Sequence, residues 1–226
     1  MSFIEEYNVI VNENNTLYRR LENKKMLYNR ITSRELNEGT ILPFPSNKFY
    51  FSQKSETSLI PSSIKFKRAG VIPYTQIEDK KYFCMGIDYK YGTLTDFGGG
   101  VKRIENFVEA ACRELEEESL GIFDFTTPEK MEKVRQNSIT IYDSSTAIIF
   151  LQVKVDNMDE IVKIFHQRYL IAENPENCNI IWIPEDIFFH LIKSGRTIRN
   201  GKNFYPSVYK VVNDLLRSVS NINEIF

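Results

Sequence analysis

Hydrophobic and polar residues alternate in a regular way from about residue 64 onward. Residues 69–74 and 82–87 are two mainly apolar runs separated by a polar segment at 76–80, and this arrangement predicts a β-hairpin. Pro73 has no backbone N–H to donate, so it favours an edge or bulge position for the first of these strands.

The rest of this region alternates between helix and strand patterns. Apolar residues three and four positions apart predict amphipathic helices, whereas unbroken apolar runs predict buried strands. The predicted helices are 106–119, 128–135, 158–170 and 207–218, and the further predicted strands are 146–153 and 179–183. Because strands and helices interleave without a repeated βαβ order, we expect an α/β fold of the mixed α+β kind, with a mixed sheet.

The first part of the chain has a different character. Residues 15–36 have apolar positions near helical spacing and carry six basic against two acidic side chains, a net charge of +4, which predicts a basic helix. Residues 40–63 contain several Pro, Ser and Asn residues and predict an irregular connection. We therefore divide the chain into an N-terminal extension, residues 1–62, and a main domain, residues 63–226.

Composition excludes several classes of protein. The net charge is −1 over 226 residues, so no global field marks a general nucleic-acid or membrane binder. No apolar run approaches the roughly 18 residues of a membrane span. Two histidines and three widely spaced cysteines exclude poly-His metal centres, disulfide frameworks and paired-cysteine zinc sites. These features favour a reducing, cytoplasmic location, with any acid–base chemistry carried by carboxylates or a metal.

The predicted helix at 106–119 has an unusual charge pattern. Its apolar stripe is narrow, and three carboxylates, Glu114, Glu117 and Glu118, cluster beside it at spacings of three and four residues. Like charges at these spacings repel by about 0.2–0.5 kcal/mol per pair. A charged, solvated helix flank is the ordinary explanation of such a pattern. The glycines at 98–100 favour a cation instead, because they let backbone carbonyls approach an ion that Glu oxygens also bind.

The same residues resemble the Nudix box, G-x5-E-x7-R-E-U-x-E-E-x-G-U, where U is aliphatic. Gly99, Glu105 and the run Arg113-Glu114-Leu115-Glu116-Glu117-Glu118 match it, and Gly121-Ile122 completes the box over residues 99–122. The sequence departs from the pattern by one inserted residue before Gly121. The inserted residue follows the proposed ligands, so it puts the geometry of the next loop in doubt more than the metal site. The order of predicted elements agrees with a Nudix-type α/β/α sandwich.

The resemblance implies a hydrolase of diphosphate linkages that uses one to three Mg²⁺ or Mn²⁺ ions. By this resemblance Glu117, Glu118 and the Gly98 carbonyl would bind metal, and Glu114 would be a further ligand or the base. Arg113 would hold the glutamates in place, with Glu105 as a supporting carboxylate.

Other site residues are predicted outside the box. Many Nudix proteins supply one more carboxylate from a downstream loop, and Glu176 or Glu173 are the candidates, with Asp143 after them. Arg196, Arg199 and Lys202 lie in a glycine-containing loop before the last helix and are candidates for gripping phosphate, although a solvated turn is the alternative. Phe97 is a candidate for stacking on a base, although packing is the alternative. These contacts imply a nucleotide substrate.

Three functions remain open at this point. The first is a pyrophosphohydrolase that acts on a nucleoside diphosphate linked to another moiety. The second is an RNA 5′-cap hydrolase, with RNA bound through the basic N-terminal segment; the sequence pI of about 6.2 argues against strong RNA binding. The third is a non-hydrolytic module that senses a nucleotide or binds a protein. The intact set of box glutamates favours hydrolysis.

Overall fold

The computed structural model describes residues 52–219. The basic helix predicted for residues 15–36 therefore lies outside the described residues, and the division at 62/63 stays a prediction. From residue 52 onward the chain contains strands and helices in alternation, so the mixed α+β class is confirmed. Within the described residues the strands are β1 Gln53–Glu56, β2 Arg68–Ile77, β3 Lys80–Asp88, β4 Leu94–Thr95, β5 Phe97–Gly100, β6 Ser138–Tyr142, β7 Thr146–Gln152, β8 Asn177–Pro184, β9 Ile198–Asn200 and β10 Asn203–Tyr205.

Helices connect these strands in the pattern that the apolar spacing predicts. The α-helices are α1 Phe107–Glu118, α2 Pro128–Gln136, α3 Met158–Tyr169, α4 Glu185–Ser194 and α5 Lys210–Arg217, and Thr57–Leu59 forms a 3-10 turn. Four of the helices were predicted. The exception, α4, was not, because its apolar residues continue directly from the strand before it.

One mixed sheet contains strands β1 to β8, between residues 53 and 184. Its path is β1-β6-β7-β2-β3-β4, with β5 paired to β2 and β8 paired to β3. The β2–β7 pair is parallel, and the other pairs are antiparallel. The hairpin of β9 and β10 forms a separate, two-stranded sheet.

Both faces of the sheet are buried under helices. Along β7, Ile149 belongs to one apolar cluster, whereas Ile148 and Phe150 belong to the other. Successive strand residues point to opposite faces, so the two clusters lie on opposite sides of the sheet. Helix α1 packs on β2 and β5 at the first face, and α4 packs on β3 and β8. The result is a three-layer α/β/α arrangement.

Pro73 lies in a central strand and in continuous register with β7, so the predicted edge or bulge position is wrong. On one side β2 pairs with β7 along its length. On the other side it pairs with β5 as far as Val71 and with β3 from Tyr74. Pro73 thus lies where β2 changes partners, which is where a residue without an N–H is tolerated in a central strand.

Two segments for which no strand is predicted contain strands. Residues 98–100 belong to β5, where Gly98 pairs with Gly70 and Gly99 with Ala69. Part of the 40–63 segment forms β1, which pairs with β6 at one end of the sheet path. Both were missed because glycine and polar residues carry no strand signal of their own; the neighbouring strand supplies the hydrogen bonds.

Candidate active site

Helix α1 begins at a fixed residue because its first turn is capped. The Asn106 side chain accepts hydrogen bonds from the backbone N–H groups of Val108 and Glu109, and the Glu109 carboxylate accepts one from the Asn106 N–H. This reciprocal capping box satisfies N–H groups that the helix cannot pair internally. Since the helix start is fixed, the positions of the glutamates one to three turns later are fixed relative to β5.

Arg113 lies at the centre of the acidic cluster. Its Nε–H donates to Glu105 Oε1 at 2.8 Å, and its Nη1–H donates to Glu114 Oε1 at 2.7 Å and Glu117 Oε2 at 3.1 Å. Its Nη2–H donates to the Gly100 carbonyl and to Glu105 Oε2, both at 3.1 Å. The hydrogen bond from Arg113 lowers the pKa of Glu105. One guanidinium thus connects helix α1 to the end of β5.

Glu114 faces the backbone of β5. A Cβ atom on Gly99 would lie 2.6 Å from Glu114 Oε1, so any other residue at this position would displace the carboxylate from where it lies. Burial raises the pKa of Glu114, and the charges of Glu117 and Glu176 add to the effect although Arg113 opposes it. This carboxyl group therefore holds a proton more readily than an exposed glutamate.

Glu118 is the most buried carboxylate of the cluster, at 8% exposure. Its Oε2 accepts hydrogen bonds from the Gly98 N–H at 3.1 Å and from Asn177 Nδ2 at 3.4 Å. Burial, followed by the charges of Asp96 and Glu176, raises the pKa of Glu118 to about 9. A buried carboxylate among other carboxylates requires a cation or a proton to be stable.

The downstream carboxylates lie at different places. Glu176 is exposed, but its charge raises the pKa of both Glu114 and Glu118, which places it beside the cluster. Glu173 is exposed on the preceding turn. Asp143 accepts hydrogen bonds from the backbone N–H groups of Ser145 and Thr146 and so stabilises the β6–β7 turn. The structure therefore favours Glu176 among the three.

Sequence reasoning missed three polar residues next to Glu118. Asn177 donates to it from β8, and the charge of fully buried Asp96 acts on it. Arg68, at the start of β2, pairs with Asp96 and also donates to the Gly98 carbonyl. No local pattern identifies these residues, because they come from β2, from β8 and from the position between β4 and β5, which only sheet pairing brings together.

The donor set suits a hard divalent cation. It consists of carboxylate oxygens and a backbone carbonyl, which are the ligands that Mg²⁺ and Mn²⁺ prefer. Mutual repulsion and burial raise the pKa of Glu114 and Glu118, and a cation would relieve both effects. Within residues 52–219 no three His, Cys, Asp or Glu side chains already stand at metal-ligand distances. Glu114 and Glu117 would have to move from Arg113 to complete a site.

The predicted substrate contacts divide into two groups. Phe97 is fully buried and packs edge-on against Phe123, so it has no free face for a base, and this prediction is wrong. The segment that holds Arg196, Arg199 and Lys202 was predicted as a loop; residues 198–200 and 203–205 instead form the β9–β10 hairpin. All three basic residues are exposed, which suits both a phosphate contact and the alternative of a solvated segment.

Several known structures are similar to this chain at low identity. A C. elegans Ap4A hydrolase is 17% identical, with 68% of this chain and 94% of that chain covered, at a TM-score of 0.37. A MutT/nudix family protein from Listeria innocua is 14% identical, with 67% and 88% covered, at 0.36. One from Enterococcus faecalis is 11% identical, with 67% and 51% covered, at 0.35. No protein-family model and no curated protein sequence matches the chain. At such TM-scores these likenesses carry no weight for function, which rests on the residues of the chain itself.

None of the helices between residues 52 and 219 is both long enough and apolar enough to span a bilayer. None of the three cysteines forms a disulfide; Cys84 and Cys112 are buried, and Cys178 is partly buried.

Proposed function

We propose that the protein is a divalent-metal-dependent pyrophosphohydrolase. Its substrate would be a nucleoside diphosphate linked to another moiety, cleaved within the diphosphate. The observation that carries the proposal is the position of Glu118: a buried carboxylate in contact with the Gly98 N–H, beside other carboxylates and at the spacing of the Nudix box. Burying such a group in its ionised form without a cation is costly, so the site favours a bound cation whenever Glu118 is ionised.

The residues around Glu118 would have separate roles in metal binding, proton transfer and orientation. Glu117, Glu118 and the Gly98 carbonyl would hold Mg²⁺ or Mn²⁺, which when bound neutralises phosphate charge and acidifies a water molecule. Glu114 would take the proton from the attacking water or serve as a further ligand, with Glu176 as an additional carboxylate. The raised pKa of Glu114 brings it nearer to neutral pH, as proton transfer favours. Arg113, held by Glu105, would orient Glu114 and Glu117.

A substrate panel tests this proposal. Purified protein is incubated with Mg²⁺ or Mn²⁺ and with nucleotide sugars, dinucleoside polyphosphates, ADP-ribose and nucleoside triphosphates. We expect turnover of at least one compound and a fall in kcat of about 100-fold or more for Glu117→Gln, by analogy with the loss of other transition-state charge stabilisers. Glu116→Gln, on the same helix, is the matched control. Unchanged activity in Glu117→Gln would show that the metal assignment is wrong. Nucleotide binding without turnover would favour the non-hydrolytic sensor.

A second candidate function, RNA 5′-cap hydrolysis, is favoured by the β9–β10 hairpin. Residues 187–213 include five basic and no acidic side chains, although the chain as a whole has a net charge of −1. On this hairpin Arg199 lies opposite Phe204 and over its ring, and Phe204 is 56% exposed. Exposed aromatic rings flanked by arginine suit stacked bases, and the surrounding charge suits a phosphate backbone.

Capped RNA distinguishes the two candidates. Release of m⁷GDP from long capped RNA, without turnover of small nucleotides, would favour the second function. We then expect Arg199→Glu/Lys202→Glu to lower turnover of RNA more than that of small nucleotides, and Lys133→Glu/Lys163→Glu, which changes the same charge elsewhere, to act equally on both. Equal effects of the two double variants would remove the hairpin from RNA binding. Cysteines that form no disulfide suit a reducing compartment, and we propose that the activity is cytoplasmic.

A further inference from the structure

A buried ion pair lies directly behind the proposed metal site. The Nη1 and Nη2 groups of Arg68 donate to the two carboxylate oxygens of Asp96 at 2.8 and 2.6 Å. The Asp96 side chain is 0% exposed and that of Arg68 is 17% exposed. Burial opposes the charge of Arg68, but the pair with Asp96 outweighs it and raises the pKa of the guanidinium. The two hydrogen bonds hold the side chains in a single two-point geometry.

Two glycines provide the space for this pair. A Cβ atom on Gly70 would lie 2.1 Å from Asp96 Oδ2, and one on Gly98 would lie 2.8 Å from it. The Asp96 carboxylate thus occupies the gap between β2 and β5, where these two glycines face each other in register. The position of the carboxylate is determined by backbone on both sides.

The same guanidinium reaches the Gly98 peptide. Arg68 Nη2 donates to the Gly98 carbonyl at 3.1 Å, while the Gly98 N–H donates to Glu118 Oε2 at 3.1 Å. The N–H group and the carbonyl group of Gly98 are therefore each held by one side chain, Glu118 and Arg68 respectively. A carbonyl oxygen has two lone pairs, so the bond from Arg68 leaves one for a second partner.

We propose that Arg68, held by Asp96, is a positioning residue that fixes the orientation of the Gly98 carbonyl for a divalent cation. This inference rests on the proposed function, because it assumes that the Gly98 oxygen is a metal ligand. Arg68 touches neither the substrate nor the cation; it acts through Gly98. Because the pair with Asp96 is neutral in sum, its main effect on the cation is geometric rather than a repulsion by its charge.

Stability alone is a weak reason for such a pair. Replacing a buried ion pair by uncharged residues of similar volume is often neutral or stabilising, whereas removing one partner alone is strongly destabilising. The fork of Arg68 makes three hydrogen bonds in one plane, which lysine cannot reproduce. Residues that orient metal ligands typically change metal affinity by about 10- to 100-fold when they are mutated.

Mn²⁺ binding to the substrate-free protein tests the inference, with free Mn²⁺ measured by electron paramagnetic resonance. We expect Arg68→Lys, which keeps the charge, to weaken Mn²⁺ binding about 10- to 100-fold. Arg68→Met/Asp96→Asn removes both charges without leaving one unpaired, and we expect the same loss. Arg217→Lys, an exposed position on α5, is the control and should bind as the wild type does. Circular dichroism and the unfolding temperature in EDTA show that each variant is folded.

A positioning role also predicts rescue. Activity of Arg68→Lys should recover as Mn²⁺ is raised about 10- to 100-fold, because the missing affinity is supplied by concentration. Wild-type Mn²⁺ affinity in both folded Arg68 variants would overturn the inference and leave the proposed function intact. Absence of Mn²⁺ binding to the wild type would instead overturn the proposed function, and the inference with it.

Discussion

The carboxylate of Glu114 lies against the backbone of Gly99, so closely that a Cβ atom on Gly99 would stand 2.6 Å from Glu114 Oε1. The neighbouring Gly100 has open space at the same position, with no atom within 4 Å of its Cβ direction. A side chain would therefore fit at Gly100 but not at Gly99 unless Glu114, the proposed base, moved.

This contrast predicts the effect of adding one methyl group. Gly99→Ala should displace the Glu114 carboxylate and lower kcat by about 100-fold, since a misplacement of about 1 Å at a reacting group can cost that much. Gly100→Ala should keep most of the activity. Steady-state kinetics on the same substrate measures both, and similar kcat values for the two variants would contradict the role of Glu114.

The contacts of Arg113 predict that replacing it by lysine lowers kcat, whereas the same replacement at an exposed arginine does not. Arg113→Lys keeps the charge but loses the fork that connects Glu105, Glu114 and Glu117. We expect kcat to fall by about 10- to 100-fold, because the carboxylates lose their common orientation. Arg103→Lys, at an exposed position between β5 and α1, serves as the control. An unchanged kcat in Arg113→Lys would show that the glutamates are positioned without it.

Glu118 predicts a conflict between stability and metal binding. Its pKa of about 9 lies above the ordinary value for glutamate, about 4.3. Between these values the folded protein holds a proton that the unfolded chain has lost, so stability of the metal-free protein falls as pH rises from about 5 to about 9. Glu118→Gln cannot ionise, so in EDTA it should unfold at a higher temperature than the wild type at pH 8.5 and at a similar one at pH 5.

Saturating Mg²⁺ should reverse the order of the two unfolding temperatures, so that the wild type becomes more stable than Glu118→Gln. The cation favours ionised Glu118, so saturating Mg²⁺ should raise the unfolding temperature of the wild type and have little effect on Glu118→Gln. An increase of 1 kcal/mol corresponds to about 2–4 °C for a domain of this size. Glu116→Gln should behave as the wild type in both buffers. Equal stabilisation of Glu118→Gln and the wild type by Mg²⁺ would place the cation elsewhere.

The burial of His166, away from the acidic cluster, predicts that stability depends on pH in the opposite direction. Its Nε2 lies 2.8 Å from Asn179 Oδ1, at the contact between α3 and β8, and burial lowers its pKa below the ordinary value, about 6.5. As pH falls below about 6.5 the unfolded chain takes up a proton that the folded protein resists, so stability decreases. The unfolding temperature should decrease less between pH 7.5 and 5.5 in His166→Gln. His190→Gln, at the other, exposed histidine, should keep the wild-type decrease.

Local patterns were sufficient for strands with a long apolar run and for helices with apolar residues at helical spacing. The apolar spacing predicted β2, β3, β7 and α3 close to their observed bounds. It failed for β5, where three glycines leave no side chains to pattern, and for β6, whose apolar residues are interrupted by Ser138 and Thr140. Those strands form because neighbouring strands offer hydrogen-bonding partners, and a window of residues along one strand does not contain that information.

In the candidate site, too, some residues are predictable from local patterns and others only from strand pairing. Glu114, Glu117 and Glu118 share one helix, so their common face follows from the 3.6-residue period and was readable from spacing alone. Asn177 reaches Glu118 across 59 residues of chain, and Arg68 reaches Asp96 across 28. Helical geometry is set by hydrogen bonds between residues four positions apart. Contacts between residues that are 28 or 59 positions apart form only once the strands have paired. The chain thus specifies its acidic helix locally, while the burial of Glu118 and the ion pair behind Gly98 arise from the assembled sheet.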